Sequence, residues 1–271
     1  MTAVADAAEA AARAAGDVLR AFARDRDRLV LRDKGLNELV SDADVAAQRT
    51  LVDHLDGIVP GATFLGEEDG LGVEPAAGAA APAGLRWVLD PLDGTTNFTR
   101  GLPPYAVSVG LVDGAAPVLG VVYELAADEL FRAAPGEGLH LNGQPAGVSR
   151  VPDLPETLLA TGFPYRRFHY QAEYLAVLGS LFGRSRGVRR HGAASVDLAY
   201  VAAGRFDGFF EAGLSPWDVA AGLALVQHGG GRVTDFAGAA DPLYAGQALA
   251  TNGRIHDALL AAVAPLADVR G

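Results

Sequence analysis

The chain has 271 residues, half of them apolar and a fifth charged, with a formal charge of −11 and a pI near 4.9. That balance disfavours nucleic acid or an anionic membrane as the main partner. With no cysteine there is no disulfide and no thiolate metal site, and His54, His140, His169, His191, His228 and His256 lack the spacing of a zinc site, so a metal would have to be a hard ion on oxygen.

Residues 3 to about 24 read as one amphipathic helix, with Val4, Ala8, Ala11, Ala15, Val18, Leu19 and Phe22 near one face. Asp6, Glu9, Arg13 and Asp17 interrupt it, which is wrong for a signal peptide, and no apolar run approaches a membrane span. The expectation is a cytoplasmic protein with no membrane partner. Leu29–Leu31 is a short strand candidate. Ser41 is a good N-cap for a helix to about Leu55, and Asp42 and Asp44 in its first turn complement the helix dipole. Thr63–Leu65 reads as a strand ending in Gly66-Glu67-Glu68-Asp69, which by composition is a solvated acidic loop. Residues 70–84, rich in Gly, Ala and Pro, read as a flexible loop.

The centre of the chain is Arg86 to Leu111. Trp87-Val88-Leu89 is a buried-strand run, and Asp90 stands where that strand should end, because Pro91 has no N–H to continue the ladder. Asp93-Gly94 is a turn signal, and Thr95-Thr96-Asn97 favours a helix start. A second strand, Ala106–Leu111, follows. The corner has two readings, a tight turn with solvated aspartates or a cation site. Asp90, Asp93 and the Leu92 carbonyl would supply three hard oxygens to an ion such as Mg²⁺.

Val118–Tyr123 and Glu129–Ala133 alternate like antiparallel strands, and Gly138–Leu141 leads into the Asn142-Gly143 hairpin signal. Thr157–Thr161 is a strand running into a Gly162/Pro164 turn, followed by a helix from about His169 to Phe182. Arg189–Ser195 opens a helix over Val196–Ala203 with Gly204 as its stop. Arg205–Glu211 reads as a strand that packs Phe206, Phe209 and Phe210. Pro216 starts a helix with Asp218 in its first turn, where it would suit the dipole. A turn and strand over Gly229–Asp235, a strand over Ala248–Asn252 and a helix from about His256 complete the chain.

Asp90-Pro91-Leu92-Asp93-Gly94-Thr95-Thr96-Asn97-Phe98 resembles the signature of the inositol monophosphatase superfamily of Mg²⁺-dependent, Li⁺-sensitive phosphatases. Lys34-Gly35 with Asn37-Glu38-Leu39-Val40-Ser41-Asp42-Ala43-Asp44 is similar to its first metal-loop motif, and Pro216-Trp217-Asp218-Val219-Ala220-Ala221-Gly222 to its second signature. The resemblance spans about residues 30–235. It implies an α/β (α+β) fold, the layered α-β-α-β-α sandwich of sugar phosphatases. It covers 1–271 as a single domain with two sub-halves, about 1–150 and 151–271, usually a homodimer. It assigns Glu67, Asp90, Leu92, Asp93 and Asp218 to two or three Mg²⁺ ions, with Glu67 bridging. Asp44 would reach an outer metal or the attacking water, and Thr95 would orient that water together with Glu67. Asp93, Gly94, Thr95, Ala194, Glu211 and Asp218 would meet the substrate, Ala194 through its N–H and Glu211 through a substrate hydroxyl. Lys34, Arg100, Arg166 and Arg167 are either nearby cations or solvated surface charges.

The activity implied is hydrolysis of a small polyol or sugar phosphate. The run Asp197–Glu211 looks closest to inositol-1-monophosphatases. Histidinol-phosphate, fructose-1,6-bisphosphate and 3′-phosphoadenosine-5′-phosphate phosphatases share the same motifs, because leaving-group pockets lie in variable loops. A regulatory binding protein using the same fold, and a glycosidase using paired carboxylates, are the readings from other classes. Four carboxylates gathered without a cation would repel and raise one another's pKa.

Overall fold

The computed structural model describes residues 1–25, 29–35, 38–68, 83–164 and 168–269, without the side chains of residues 33–35, 38 and 39. Helix α1 (Thr2–Ala23) is followed by the short hairpin β1 (Leu31–Gly35) and β2 (Glu38–Ser41), then α2 (Asp42–Leu55). Strands β3 (Thr63–Gly66) to β9 (Gln144–Ala146) form a seven-stranded sheet in chain order. Its members between are β4 (Leu85–Asp93), β5 (Ala106–Asp113), β6 (Ala116–Glu124), β7 (Glu129–Ala134) and β8 (Gly138–Leu141), with α3 (Thr95–Arg100) between β4 and β5. Only the β3–β4 pair is parallel.

The second half builds a five-stranded sheet from β10 (Leu158–Thr161), β11 (Gly187–Arg189), β12 (Gly208–Ala212), β13 (Arg232–Thr234) and β14 (Gln247–Thr251), in the order β11-β10-β12-β14-β13. Its helices are α4 (Gln171–Phe182), α5 (Ala194–Ala202), α6 (Pro216–His228) and α7 (His256–Val263).

Alternation along the strands decides the layering. Trp87, Leu89, Val107, Val109, Leu111 and Val121 face a core shared with the alanine stripe of α1 and with Ala43, Ala47 and Leu51 of α2. Val88, Ala106, Val112 and Val122 face the opposite way, into a core with α5 and α6 that also takes in Phe209 and Ala250 of the second sheet. Phe210 and Leu249 look to the far side, against α4 and α7. The result is α1/α2, sheet, α5/α6, sheet, α4/α7, the layered sandwich that the sequence implied. Helix α6 lies very close to the first sheet. A methyl at Gly110 would stand 2.8 Å from the Ala220 Cβ, and one at Gly120 2.2 Å from the Ala221 carbonyl oxygen. Only residues without a side chain let that helix approach so far.

Most expected elements are present within a residue or two, and three differ. The Leu29–Leu31 candidate is displaced, since β1 starts at Leu31. The last-half strand starts at Gly208, because Gly204 to Asp207 turn in order to end α5. Strand β4 does not stop at Asp90 but runs through Pro91 to Asp93. Proline is tolerated there because the ladder is irregular: Asp90 pairs with Ser108 and Asp93 with Ala106. Three steps on β4 thus oppose two on β5, which is a bulge. In a regular strand residues three apart point to opposite faces; the extra residue returns Asp93 to the face of Asp90. The loop expected over 70–84 lies outside the described residues up to position 82, as do Arg166 and Arg167; so does the Lys34 side chain.

Candidate active site

The corner after β4 sits between the two halves of the chain. Asp90 is 1% exposed, and its Oδ1 accepts from the Leu92 N–H at 3.0 Å. Its pKa is pushed well above the usual carboxylate range, first by burial and then by the charges of Glu67, Asp93 and Asp218. Four acids from three separate stretches of the sequence therefore meet in one field. Glu67 is placed by the end of β3, where its N–H bonds the Leu89 carbonyl at 3.2 Å. Gln48 of α2 fixes the next residue by a two-way bond to the Glu68 backbone, at 3.0 and 3.1 Å.

Asp93 is tied to the second half. Its Oδ2 accepts from the Ser195 N–H at 2.7 Å and from the Ser195 hydroxyl at 2.6 Å. Its pKa is raised by burial, against hydrogen bonds from Ser195, Ala194 and Val196 that favour the anion. The first turn of α5 thus donates its free N–H groups to Asp93. Asp218 enters from the first turn of α6 in a capping box, with its Oδ2 taking the Ser215 N–H at 2.7 Å.

Thr95 opens α3 after Gly94, which is left-handed at φ 86°. The Thr95 hydroxyl lies 3.0 Å from Asp44 Oδ1 and 3.0 Å from the Leu92 carbonyl oxygen. Asp44 is fully buried, and its Oδ2 accepts both the Ser41 N–H and the Ser41 hydroxyl. Burial raises its pKa, against these bonds. Asp44 therefore belongs to a Ser41–Asp44–Thr95 relay, with each of its oxygens already engaged within the protein. Its dipole position and its place in the relay are compatible, since the capping box orients it.

Glu211 projects from β12, 8% exposed. Its carboxyl is seated on the backbone at Gly162, where a Cβ would stand 1.8 Å from Oε1, so any side chain there would displace the carboxyl from this seat. Burial first, then Asp197 and Asp218, push its pKa well up, while Arg190 opposes them. Arg100 is exposed at the end of α3.

Sequence reasoning missed four positioning residues. Ser195 grips Asp93, Ser215 caps Asp218, and Gln48 fixes the Glu68 backbone. Asn97 bridges the Pro104 carbonyl at 2.9 Å and the His191 carbonyl at 2.8 Å, locking α3 to the start of α5. The signal for Gln48 was available: Asp44 and Gln48 are four apart on the buried face of α2, polar residues on an otherwise apolar stripe.

Among the described residues no three carboxyl or imidazole groups close on one point at ligating spacing. The carboxyls of Asp90, Asp93 and Asp218 are each held by hydrogen bonds of their own, and with Glu67 they meet through their fields. A pair of adjacent ions needs acids arranged around two points rather than three on one.

The sequence matches the profile of the inositol monophosphatase family over residues 1–267. The chain belongs to the inositol monophosphatase family. It is 42% identical over 251 residues, 93% of this chain and 92% of the relative, to a protein named Nus factor SuhB from Salmonella typhimurium (strain LT2). Among solved structures it is similar to extragenic suppressor protein suhB from Bartonella henselae, with a TM-score of 0.86, 37% identity and 95% and 97% of the two chains covered. It is similar also to the inositol monophosphatase from Anabaena, with a TM-score of 0.80, 38% identity and 95% and 94% covered. The fold is thus that of inositol monophosphatases, and family membership supports phosphatase activity on phosphate esters.

Proposed function

We propose that the chain is a Mg²⁺-dependent phosphomonoesterase acting on a small polyol phosphate, with inositol-1-phosphate as the first substrate to test. The observation that carries this reading is the buried Asp90 carboxyl, whose largest perturbations after burial are three other carboxylates. An all-oxygen set of that kind fits a hard divalent cation. Glu67, Asp90, Asp93, Asp218 and the Leu92 carbonyl would hold two or three ions. When bound, such ions lower the pKa of a water and neutralise phosphoryl charge.

The remaining steps belong to the chain. Asp44 accepts the Thr95 proton, so the Thr95 Oγ lone pairs are left to accept from a water and orient it. Ser41 keeps Asp44 in place for this. Glu67 shares the orientation of that water. The Gly94 and Thr95 N–H groups, at the start of α3, suit a phosphoryl oxygen. Glu211, held over Gly162, accepts a hydroxyl of the polyol, and its seat leaves no room for a bulkier neighbour. The two sub-halves thereby act as one unit, with the first supplying Glu67, Asp90 and Asp93 and the second Ser195, Glu211 and Asp218.

The test is phosphate release from inositol-1-phosphate, histidinol phosphate, fructose-1,6-bisphosphate and 3′-phosphoadenosine-5′-phosphate, with Mg²⁺, with Li⁺ added, and with a chelator. Release that needs Mg²⁺, falls with Li⁺ and is fastest on inositol-1-phosphate is the expected result. Equal release in chelator would overturn the reading. Sedimentation of the same sample checks the homodimer that goes with it. The name Nus factor SuhB carried by the relatives favours, as second reading, a regulatory binding role. No release from any of the four esters, with Mg²⁺ still bound, would favour it.

A further inference from the structure

The hydroxyl of Ser108 is fully buried and has no hydrogen-bond partner. A buried hydroxyl without a partner costs on the order of 1–3 kcal/mol, so its presence calls for a use. Ser108 stands on β5 directly opposite Asp90 on β4. Residues paired in an antiparallel ladder share a face, with Cβ atoms roughly 4.5–5.5 Å apart. The face is the one turned to α6: Val88 and Ala106, flanking this pair, lie in the α5/α6 core, and Gly110, two residues on, lies under Ala220. Apolar packing alone would be served there by alanine, and the sequence carries an oxygen instead.

Asp90 has a complementary need. Its Oδ1 is engaged by the Leu92 N–H, which leaves the second carboxylate oxygen to take a further donor. We infer that Ser108 is a positioning residue for Asp90: its hydroxyl, unpartnered in the metal-free chain, donates to the second carboxylate oxygen when a divalent cation is bound and fixes the rotamer in which Asp90 meets that ion. This rests on the metal-dependent reading above. Ser108 itself touches neither substrate nor ion.

The experiment is calorimetric titration of Mg²⁺ into the full chain, without substrate, for wild type, Ser108→Ala and Ser108→Cys, with urea unfolding of each in chelator. Removing groups that orient a metal ligand typically weakens binding by about 10–100-fold. The expected result is a dissociation constant for Ser108→Ala raised by about tenfold or more, with the urea midpoint of the metal-free protein unchanged or higher. Ser108→Cys, which keeps the bulk but is a weak donor, falls between. Wild-type affinity in a folded Ser108→Ala overturns the inference. Should Ser108→Ala fail to fold, wild-type affinity in Ser108→Cys overturns it equally. A wild-type chain that binds no Mg²⁺ sinks the metal reading itself, which is a separate outcome.

Discussion

Two buried polar clusters in this molecule are made from similar residues and do opposite things. Asp207 is 6% exposed and is closed entirely by protein donors: Ser149 gives its hydroxyl to Oδ1 at 2.5 Å and Leu158 its N–H to Oδ2 at 2.7 Å. Asn252 completes the node, donating to Ser149 Oγ and to the Val151 carbonyl, both at 2.9 Å. That node ties the 147–158 connection to β12 and β14, and it holds a single acid. The Asp90 corner is as deeply buried, yet its strongest neighbours are acids. Protein donors reach Asp90, Asp93 and Asp218 once or twice each and leave the charges facing one another. A buried anion surrounded by donors stabilises the fold. Buried anions facing anions destabilise it until a cation arrives. The contrast separates a structural cluster from one kept for chemistry.

The largest effect is expected at the corner. Asp90→Asn should lower turnover by about a thousandfold, the scale of losing a preorganised charge in a reaction site. The same change removes one of the clashing charges, so the metal-free protein should gain about 1 kcal/mol, or roughly 2–4 °C in midpoint. A fall in both activity and metal-free stability would erase the contrast drawn above. Asp207→Ala tests the other side. It leaves the Leu158 N–H and the Ser149 hydroxyl without their acceptor and should cost about 3 kcal/mol, seen as an early urea midpoint. Turnover per folded molecule should stay at the wild-type level. Thr95→Ala comes next, with a kcat loss of about a hundredfold and little change in midpoint, and Thr95→Ser restoring most of it, because only the hydroxyl enters the Asp44 relay.

How much of this was legible in the sequence follows from the range of the interactions. Ser41, Asp44 and Asp218 were readable because an N-cap and a first-turn acid act within one turn of their helix. The layer order was readable only through the resemblance of the three motifs to the family's signatures, while apolar periodicity located the helices and strands one by one. The path of β4 through Pro91 was not, since the Asp90–Asp93 bulge exists only in the pairing with β5. Nor was the tie of Asp93 to Ser195, 102 residues away. Ser195 looked like part of a helix start and became the donor that decides where Asp93 points. The Thr95–Asp44 bond, across 51 positions, is of the same kind. Local chemistry announced the candidate groups, and long-range pairing decided what each of them faces.

The smallest of these effects is a pH dependence, and its sign distinguishes the same two kinds of site. His256 is fully buried, with its ring nitrogens 3.1 Å from the Thr234 hydroxyl and 2.9 Å from that of Thr251. Burial, and then Arg232, lower its pKa to about 4. The folded protein keeps this ring neutral, while the unfolded chain takes up a proton near pH 6.5. Stability from this group is therefore complete above about 6.5 and is lost as pH falls towards 4, by on the order of 2 kcal/mol. Asp197, bonded to His191 Nδ1 at 2.8 Å, runs the other way: burial raises its pKa to about 6. There the folded state holds a proton that the unfolded chain releases near 3.8, so stability declines as pH rises from about 4 to 6 and is then flat. Urea unfolding in chelator between pH 4 and 7 should show the two slopes opposing each other. His256→Asn should remove the acid-side loss and leave a chain that becomes more stable as the medium is acidified. If that variant instead keeps the wild-type slope, the buried imidazole is not the group that makes this protein acid-sensitive.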